Sequence, residues 1–304
     1  MTAQLSWLYP FIKYAMVVFL EKKNMFVNMN GKNSILLVDP EFDVNSVHNC
    51  DLLIKVTQDN FSYAILEGSE NRVVVLYDQQ ECKNVVGALS HVLSDDPYLA
   101  IPFKTVKASV YTRNTIAIPN DLLDAENLNV YAKFFTVEQS EQFHLQNVGG
   151  QNFTSIFNLD HDMEELLITK FGISKIYDHA APLLALSSLH SEKHLILDFT
   201  VGSFSGLLTE GGKLIFENCY EVEDAGEFNY YLLLMIQQLK IDTQTTKVYI
   251  SGIIHQGDER FEIINQYFAE MEFITPEAEQ LNSEILDDMP IQYYSTLLAL
   301  KSCE

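Results

Sequence analysis

A two-lobed α/β protein made of two related halves is the fold class this sequence predicts, and three observations predict it. First, residues 52–68 (LLIKVTQDNFSYAILEG) align without a gap on residues 195–211 (LILDFTVGSFSGLLTEG), at an offset of 143 positions (195 − 52). Leu52/Leu195, Thr57/Thr200, Phe61/Phe204, Ser62/Ser205, Glu67/Glu210 and Gly68/Gly211 are identical across it. Second, each aligned stretch opens a run of three strand-like segments, then a helical one, then another strand, which implies a mixed sheet with helices on its faces. Third, 304 residues exceed one typical domain, and 47% hydrophobic residues suffice for two cores.

Taken in order, residues 35–38 (ILLV) before Asp39-Pro40 read as a short strand. Residues 52–56, 61–66 and 72–77 make a three-strand meander. A helix follows at 84–93, with Val85, Leu89, Val92 and Leu93 on one side, and Asp95-Asp96-Pro97 stops it. Residues 104–111 and 115–118 alternate as strands, and 130–137 with 142–147 read as another strand pair. Residues 160–171 form a helix with carboxylates near its positive N-terminus and Gly172 as its stop. A further helix spans 178–189, with Pro182 in its first turn.

The second half repeats the plan. The apolar run 195–197 marks a strand buried on both faces, Asp198 sits near its end, and Gly211-Gly212 closes a hairpin. Asp224 and Glu227 form a capping-box pattern for a helix with Phe228, Tyr231, Leu232, Met235, Ile236 and Leu239 on one face. Its other face is almost as apolar, so the helix is expected to be buried all round. Residues 247–251 form a strand running into Gly252. Asp258 caps a helix carrying Phe261, Ile264, Phe268 and Met271, and a last helix follows Pro290 and runs to about residue 300. The expected organisation is a leader at 1–33, a first lobe at 34–177 and a second lobe at 178–304, whose C-terminal helix packs back. A cleft between the lobes is the expected ligand site.

Charge narrows the partners. With 19 basic and 42 acidic residues the net charge is −23, which argues against nucleic acid or anionic lipid as a partner. Residues 1–33 differ: four lysines against Glu21 give +3. Their apolar stretch 5–20 would reach only about 24 Å as a helix, short of the ~30 Å hydrocarbon core. Three readings stay open for it: sequence upstream of a working start at Met25 or Met29, an amphipathic anchor, or a helix packed on the fold. Cys50, Cys82, Cys219 and Cys303 are widely spaced, which suits reduced thiols in a cytoplasmic protein and suggests neither a zinc site nor a disulfide framework.

A duplicated unit of three strands, helix and strand, with a glycine-flanked loop after its first strand, resembles the actin-like ATPase superfamily of actin, the sugar kinases and the heat-shock ATPase chaperones. That resemblance implies an actin-like, ribonuclease H-like fold. It places a first phosphate loop at Thr57 and Asp59, a second at Asp198, Thr200, Gly202 and Ser203, and an adenosine turn at Gly252. In such sites glycine lets backbone N–H groups close on phosphate, and a strand-end carboxylate orients metal-bound water. The sequence departs from the pattern. The first loop has no glycine, Lys55 stands where the superfamily carries an acid, and the adenosine turn has one glycine. Over residues 38–304 the sequence is also similar to the bacterial domain-of-unknown-function 3822 family. That similarity rests on Asp39-Pro40-x-Phe42, Phe61-Ser62, Glu223-Asp224 with Phe228-x-Tyr230-Tyr231, Gln237-Gln238-Leu239 and Leu300-x-x-Cys303.

Other constellations carry less. His190-x-x-x-His194 has metal-like spacing, but His194 opens a strand, so no metal site is expected. Gly202 to Gly206 has Phe204 where a nucleophile elbow needs serine. No catalytic residue is assigned. Asp198 is read as capping its own loop, as holding a magnesium-bound water, or as a lobe-to-lobe ion pair. The functional expectation is an interaction or scaffold module without robust catalysis, taking no cofactor or Mg-ATP weakly and binding another protein. The alternatives are a kinase or ATPase using Asp198, and a membrane-tethered assembly subunit if residues 1–33 anchor it.

Overall fold

The computed structural model describes residues 33–44, 49–68, 71–135, 142–147, 151–172, 175–190, 192–275, 281–287 and 289–303. The readings made for residues 1–32 lie outside the described residues. The first sheet contains β1 (Ser34–Val38), β2 (Cys50–Val56), β3 (Phe61–Glu67), β4 (Arg72–Gln79), β5 (Phe103–Val110) and β9 (Lys175–Asp178), in the order β1-β4-β3-β2-β5-β9. The second contains β10 (His194–Phe199), β11 (Ser203–Glu210), β12 (Lys213–Glu221), β13 (Lys247–Gly252) and β14 (Met271–Phe273), in the order β12-β11-β10-β13-β14. Without β1, the two orders are the same.

The likeness extends to register. Lys55 pairs with Ser62 and Asp198 with Ser205; both positions differ by 143. Both meanders bulge at the equivalent place, between Ile65 and Leu66 and between Leu208 and Thr209. In each half a helix carries the chain to a parallel strand beside the first: α1 (Val85–Asp95) between β4 and β5, and α4 (Ala225–Gln238) between β12 and β13. Gly211 and Gly212 take φ of +59° and +72°, the left-handed pair that a two-residue hairpin turn requires.

Strand alternation sorts the side chains. Leu52, Ile54 and Val56 face α1 and α2 (His161–Phe171), while Leu53 faces the C-terminal segment. In the second sheet Leu195, Leu197 and Phe199 face α4 and α5 (Glu259–Tyr267), and Ile196 faces α3 (Ala181–Ser187). Helices α3 and α6 (Ser295–Ala299) lie between the sheets and contribute to both cores. Ala181, Leu297 and Leu298 pack on the first sheet; Leu183, Leu184 and Ala299 pack on the second.

Several elements differ from expectation. Residues 130–135 are not strand: a single helical turn (Asn129–Ala132) buries Tyr131, whose hydroxyl donates to Leu122 O. Strand β8 (Phe153–Phe157), flanked by β6 (Thr115–Pro119) and β7 (His144–Asn147), completes a small antiparallel sheet. Residue 178 ends a strand rather than starting a helix. Its carboxylate accepts the N–H groups of Ala180 and Ala181 at 3.1 Å and so starts α3 three residues later. Met271 starts β14. The second apolar face of α4 lies at the surface, with Tyr230 62% and Leu233 41% exposed.

Phe204 is fully buried and packs on Phe199, Tyr220 and Phe228 at centroid distances of 5.9, 5.1 and 4.9 Å. Phe204→Ala is expected to lower the unfolding free energy by about 3–5 kcal/mol in urea titration.

Candidate functional site

The site is the seam where the carboxyl ends of β2 and β10 face each other. Lys55 follows Leu53 on the interlobe face of β2, and Asp198 follows Ile196 on the interlobe face of β10, because side chains alternate with period two. Equivalent positions of the two halves therefore meet across the interface, one cationic and one anionic. Lys55 Nζ lies 2.9 Å from Asp198 Oδ2 and also donates to Thr296 Oγ1 on α6. Both side chains are largely buried, 17% and 6% exposed.

The two loops that follow share a turn. In the first, Thr57 N–H donates to Asn60 O at 2.8 Å and Asn60 N–H to Thr57 Oγ1 at 3.2 Å. In the second, Thr200 N–H donates to Ser203 O at 2.9 Å and Ser203 N–H to Thr200 Oγ1 at 3.1 Å. The shared threonine is thus explained as a turn residue whose hydroxyl closes its own loop. The amides of Thr57, Asn60, Thr200 and Ser203 are committed to these turns. Asp59 leans on the second loop, since a Cβ on Gly202 would lie 3.4 Å from its Oδ2. Burial raises the Asp59 carboxyl, and Glu221 adds to this.

Gly252 has φ of +81°, and a Cβ there would fall 2.0 Å from Phe199 O. The close approach of Gly252 to its parallel neighbour β10, sealed by Ile253 N–H donating to Phe199 O at 2.8 Å, requires glycine whatever else approaches it. Thr57, Asp59, Asp198, Thr200, Gly202 and Ser203 are therefore brought to one seam. Gly252 stands at its edge, against β10.

A cavity of about 30 Å³ opens beside the pair, lined by Lys55, Asn60, Asp78, Phe199, Thr200 and Tyr294 among others. It has room for a few waters. Asp78 is buried there, and both its oxygens accept from Gln80 Nε2 at 2.8 Å. Burial pushes the Asp78 carboxyl up to about 6, against the opposing pull of Gln80 and Lys55.

Mg-ATP, which the fold implies, does not fit this seam. The strand-end carboxylate is taken by an ammonium, four loop amides are spent on turns, and the Asp59 carboxylate beside Gly202 would repel an anion at the second loop. The cavity is also far smaller than an ordinary ligand pocket. Among the described residues no group of three or more His, Cys, Asp or Glu side chains could hold a metal ion.

Further contacts flank the pair, those of Arg113 and Gln151 across the lobes. His179 Nε2 lies 3.3 Å from Glu217 Oε1, and Glu217 outweighs burial to raise the imidazole. Arg113 pairs with Glu221. Gln151 donates to Gly212 O at 2.6 Å and accepts Leu214 N–H at 2.9 Å. The hydroxyls of Ser187 and Thr209 lie 3.0 Å from His194 Nε2, but all three residues are buried, and desolvation lowers the imidazole. This is a core polar cluster closed to substrate. His190 stacks on Tyr249 at 4.0 Å.

Sequence reasoning did not assign Lys55, Asp78 and Thr296 to the site. Lys55 was findable: the 143-residue offset places it on Asp198, and opposite charges at equivalent strand ends signal a pair. Asp78 and Thr296 carry no local signal, since they reach the seam from the far ends of the meander and of the chain.

A family model described as "Protein of unknown function (DUF3822)" matches residues 39–271. Among solved structures, a Bacteroides thetaiotaomicron protein with actin-like ATPase fold and unknown function superposes with a TM-score of 0.69. Its sequence identity is 17%, over 86% of this chain and 99% of that one. A structure described as the PilM–PilN type IV pilus biogenesis complex gives a TM-score of 0.55 at 13% identity, over 84% of this chain and 98% of that one. No curated protein matches the sequence. The fold is thus actin-like, two-lobed and mixed α/β.

Two outcomes follow from the geometry. Lys55→Ala strands a buried carboxylate and is expected to cost about 3–5 kcal/mol, whereas the double change Lys55→Met with Asp198→Leu should recover most or all of it. Urea titrations of the three proteins check this. Asp78 holds its proton more tightly folded, at about 6, than unfolded, at 3.8. Its contribution is therefore most favourable at low pH and is lost as the pH rises through that window. Asp78→Asn should flatten stability between those values and raise it at neutral pH, by on the order of 3 kcal/mol at most, in denaturation series against pH.

Proposed function

We propose, from the premise that the chain belongs to the DUF3822 family of proteins of unknown function, that it is a non-catalytic, protein-binding module of actin-like fold. The observation that carries this is the Lys55–Asp198 pair: the lobes are joined at the nucleotide position by the chain's own side chains. A lysine at one strand end and an aspartate at the other supply the bridging charge that a metal–nucleotide complex would otherwise bring. The remaining cavity suits water.

The partner we propose is another protein, acting with this chain in the cytoplasm. The likeness to a structure solved as a two-protein pilus complex supports the partner class through its fold, and the net charge of −23 disfavours nucleic acid. Among the described residues no helix is long and apolar enough to cross a membrane. We place the lobes at 34–177 and 178–304, with the C-terminal segment returning to the first. The two halves are read as a duplication on the strength of their common strand order, register and bulge. Thr57, Asp59, Asp198, Thr200, Gly202, Ser203 and Gly252 are then the remnant of a nucleotide site, kept for turn geometry and lobe contact. The rival reading, an ATP-dependent kinase or ATPase, requires the pair to open.

Millimolar Mg-ATP is expected to move the melting temperature by less than about 2 °C. One-site binding at about 100 times the dissociation constant would add about 2.7 kcal/mol. In a chain of this size that is about 4 °C. A shift of that size, abolished by Asp198→Asn, would overturn the non-catalytic reading and favour the enzyme.

A further inference from the structure

The two halves end strands β2 and β10 alike but fill the space beyond them differently. Val56 and Phe199 stand at the same register, 143 positions apart, paired with Phe61 and Phe204 at the start of the next strand. Both face the helical side of their sheet. Phe199 is buried, and its ring packs on Phe204 and Phe228 at centroid distances of 5.9 and 5.3 Å. The Arg260 guanidinium lies over that ring at 5.4 Å. The second half thus fills the crevice between β10, α4 and α5 with an aromatic ring of its own.

The first half has valine at this place, and a cavity of about 120 Å³ lies between the ends of β2 and β5 and the starts of α1 and α2. Its apolar walls are Val56, Val85, Val86, Val110 and Met163. Helix α1 precedes β5 as α4 precedes β13, and α2 precedes β9 as α5 precedes β14, so these walls correspond to the surroundings of Phe199. An apolar cavity of about 150 Å³ admits benzene.

The polar groups beside the cavity are already used. Thr57 Oγ1 accepts Asn60 N–H at 3.2 Å, and Thr112 Oγ1 donates to Asn158 O at 2.9 Å. The Asp160 carboxylate caps α2, accepting the N–H groups of Asp162 and Met163 at 3.1 and 3.4 Å. Gln58 and Asp160 are exposed and stand at the rim. A hydroxyl placed among the five apolar walls would have no partner there, and an anion would meet Asp160.

We propose that this cavity is the anchor pocket for one phenylalanine side chain of a partner protein. That residue would supply from outside the ring that Phe199 supplies within the second half. This rests on the protein-binding reading above and names what the partner brings. Size selects an anchor over a free ligand. Pockets for whole ligands measure about 300–1,000 Å³. Protein interfaces, by contrast, are held by single aromatic side chains, each buried in a small dry pocket.

The test uses the full chain without nucleotide, labelled at its methionine methyl groups. Met163 reports on the cavity, and Met235, buried in the second core, is the internal control. Toluene, the side-chain analogue, and N-acetylphenylalanine methylamide, which carries the same ring on a backbone, are expected to shift the Met163 methyl resonance at millimolar concentration and to leave Met235 in place. p-Cresol and N-acetyltyrosine methylamide should bind about tenfold more weakly, because a hydroxyl buried without a partner is disfavoured. Val56→Phe copies the second half and should abolish the Met163 shift. Val86→Phe, in the half-buried first turn of α1, is a second blocking variant should Val56→Phe overpack and fail to fold. The proposal falls if neither ligand moves Met163, or if both folded variants keep the shift. Toluene binding without the phenylalanine amide would mark a site for free arenes and overturn it equally. A Met163 shift that follows protein concentration alone would mark a second copy as the occupant. Nucleotide plays no part in this test, so its failure is separate from a failure of the Mg-ATP prediction.

Discussion

The constraint on which this structure depends is that equivalent strand ends of two like halves must meet. Two sheets that turn the same face toward each other bring residue 55 to residue 198, and any charge at one must be answered at the other. Two carboxylates there would need a metal, and two lysines would need an anion. Lysine against aspartate needs neither. Buried ion pairs add little net stability, because the desolvation of both charges offsets their attraction. What the pair contributes is geometry: a single arrangement of the lobes leaves neither charge unpaired.

Around that pair the interlobe layer supplies the apolar contribution. Helices α3 and α6 are short, seven and five residues, and would not persist alone in water. They are held because each is buried on two sides, against Leu53 and Leu76 of one sheet and Ile196 and Tyr249 of the other. The last residues fasten the same layer to the first sheet. Lys301 pairs with Asp51, Lys107 donates to the carbonyl of Lys301 at 2.8 Å, and Tyr177 donates to that of Cys303 at 3.1 Å. Thr296, which receives Lys55, is carried on α6, so the cross-lobe pair and the return of the chain are one construction.

The sequence showed the architecture well where residues interact with near neighbours. The meanders, the hairpin at Gly211-Gly212 and the caps at Asp224 and Asp258 follow from local chemistry and stand as read. It misled where distant contacts decide. Phe153–Phe157 forms a strand because β6 and β7 pair with it on both sides. The apolar outer face of α4 suggested burial, yet only Phe228, Leu232 and Met235 are fully buried. The site was half legible. The family resemblance suggested phosphate and adenosine contacts at Thr57, Thr200 and Gly252, and turn closure and close strand approach also account for these residue types.

Because the halves share strand order, register and even the position of a bulge, those features are what the fold requires, and departures from the likeness are what it does not. Two departures stand out. At the strand ends one half has lysine and the other aspartate, and this difference closes the cleft. At the sheet edges one half carries β1, whereas among the described residues no strand lies beside β12 of the other. Long open edges invite unwanted pairing, and proteins blunt them with charge. On β12 Glu217 faces His179 and Glu221 pairs with Arg113.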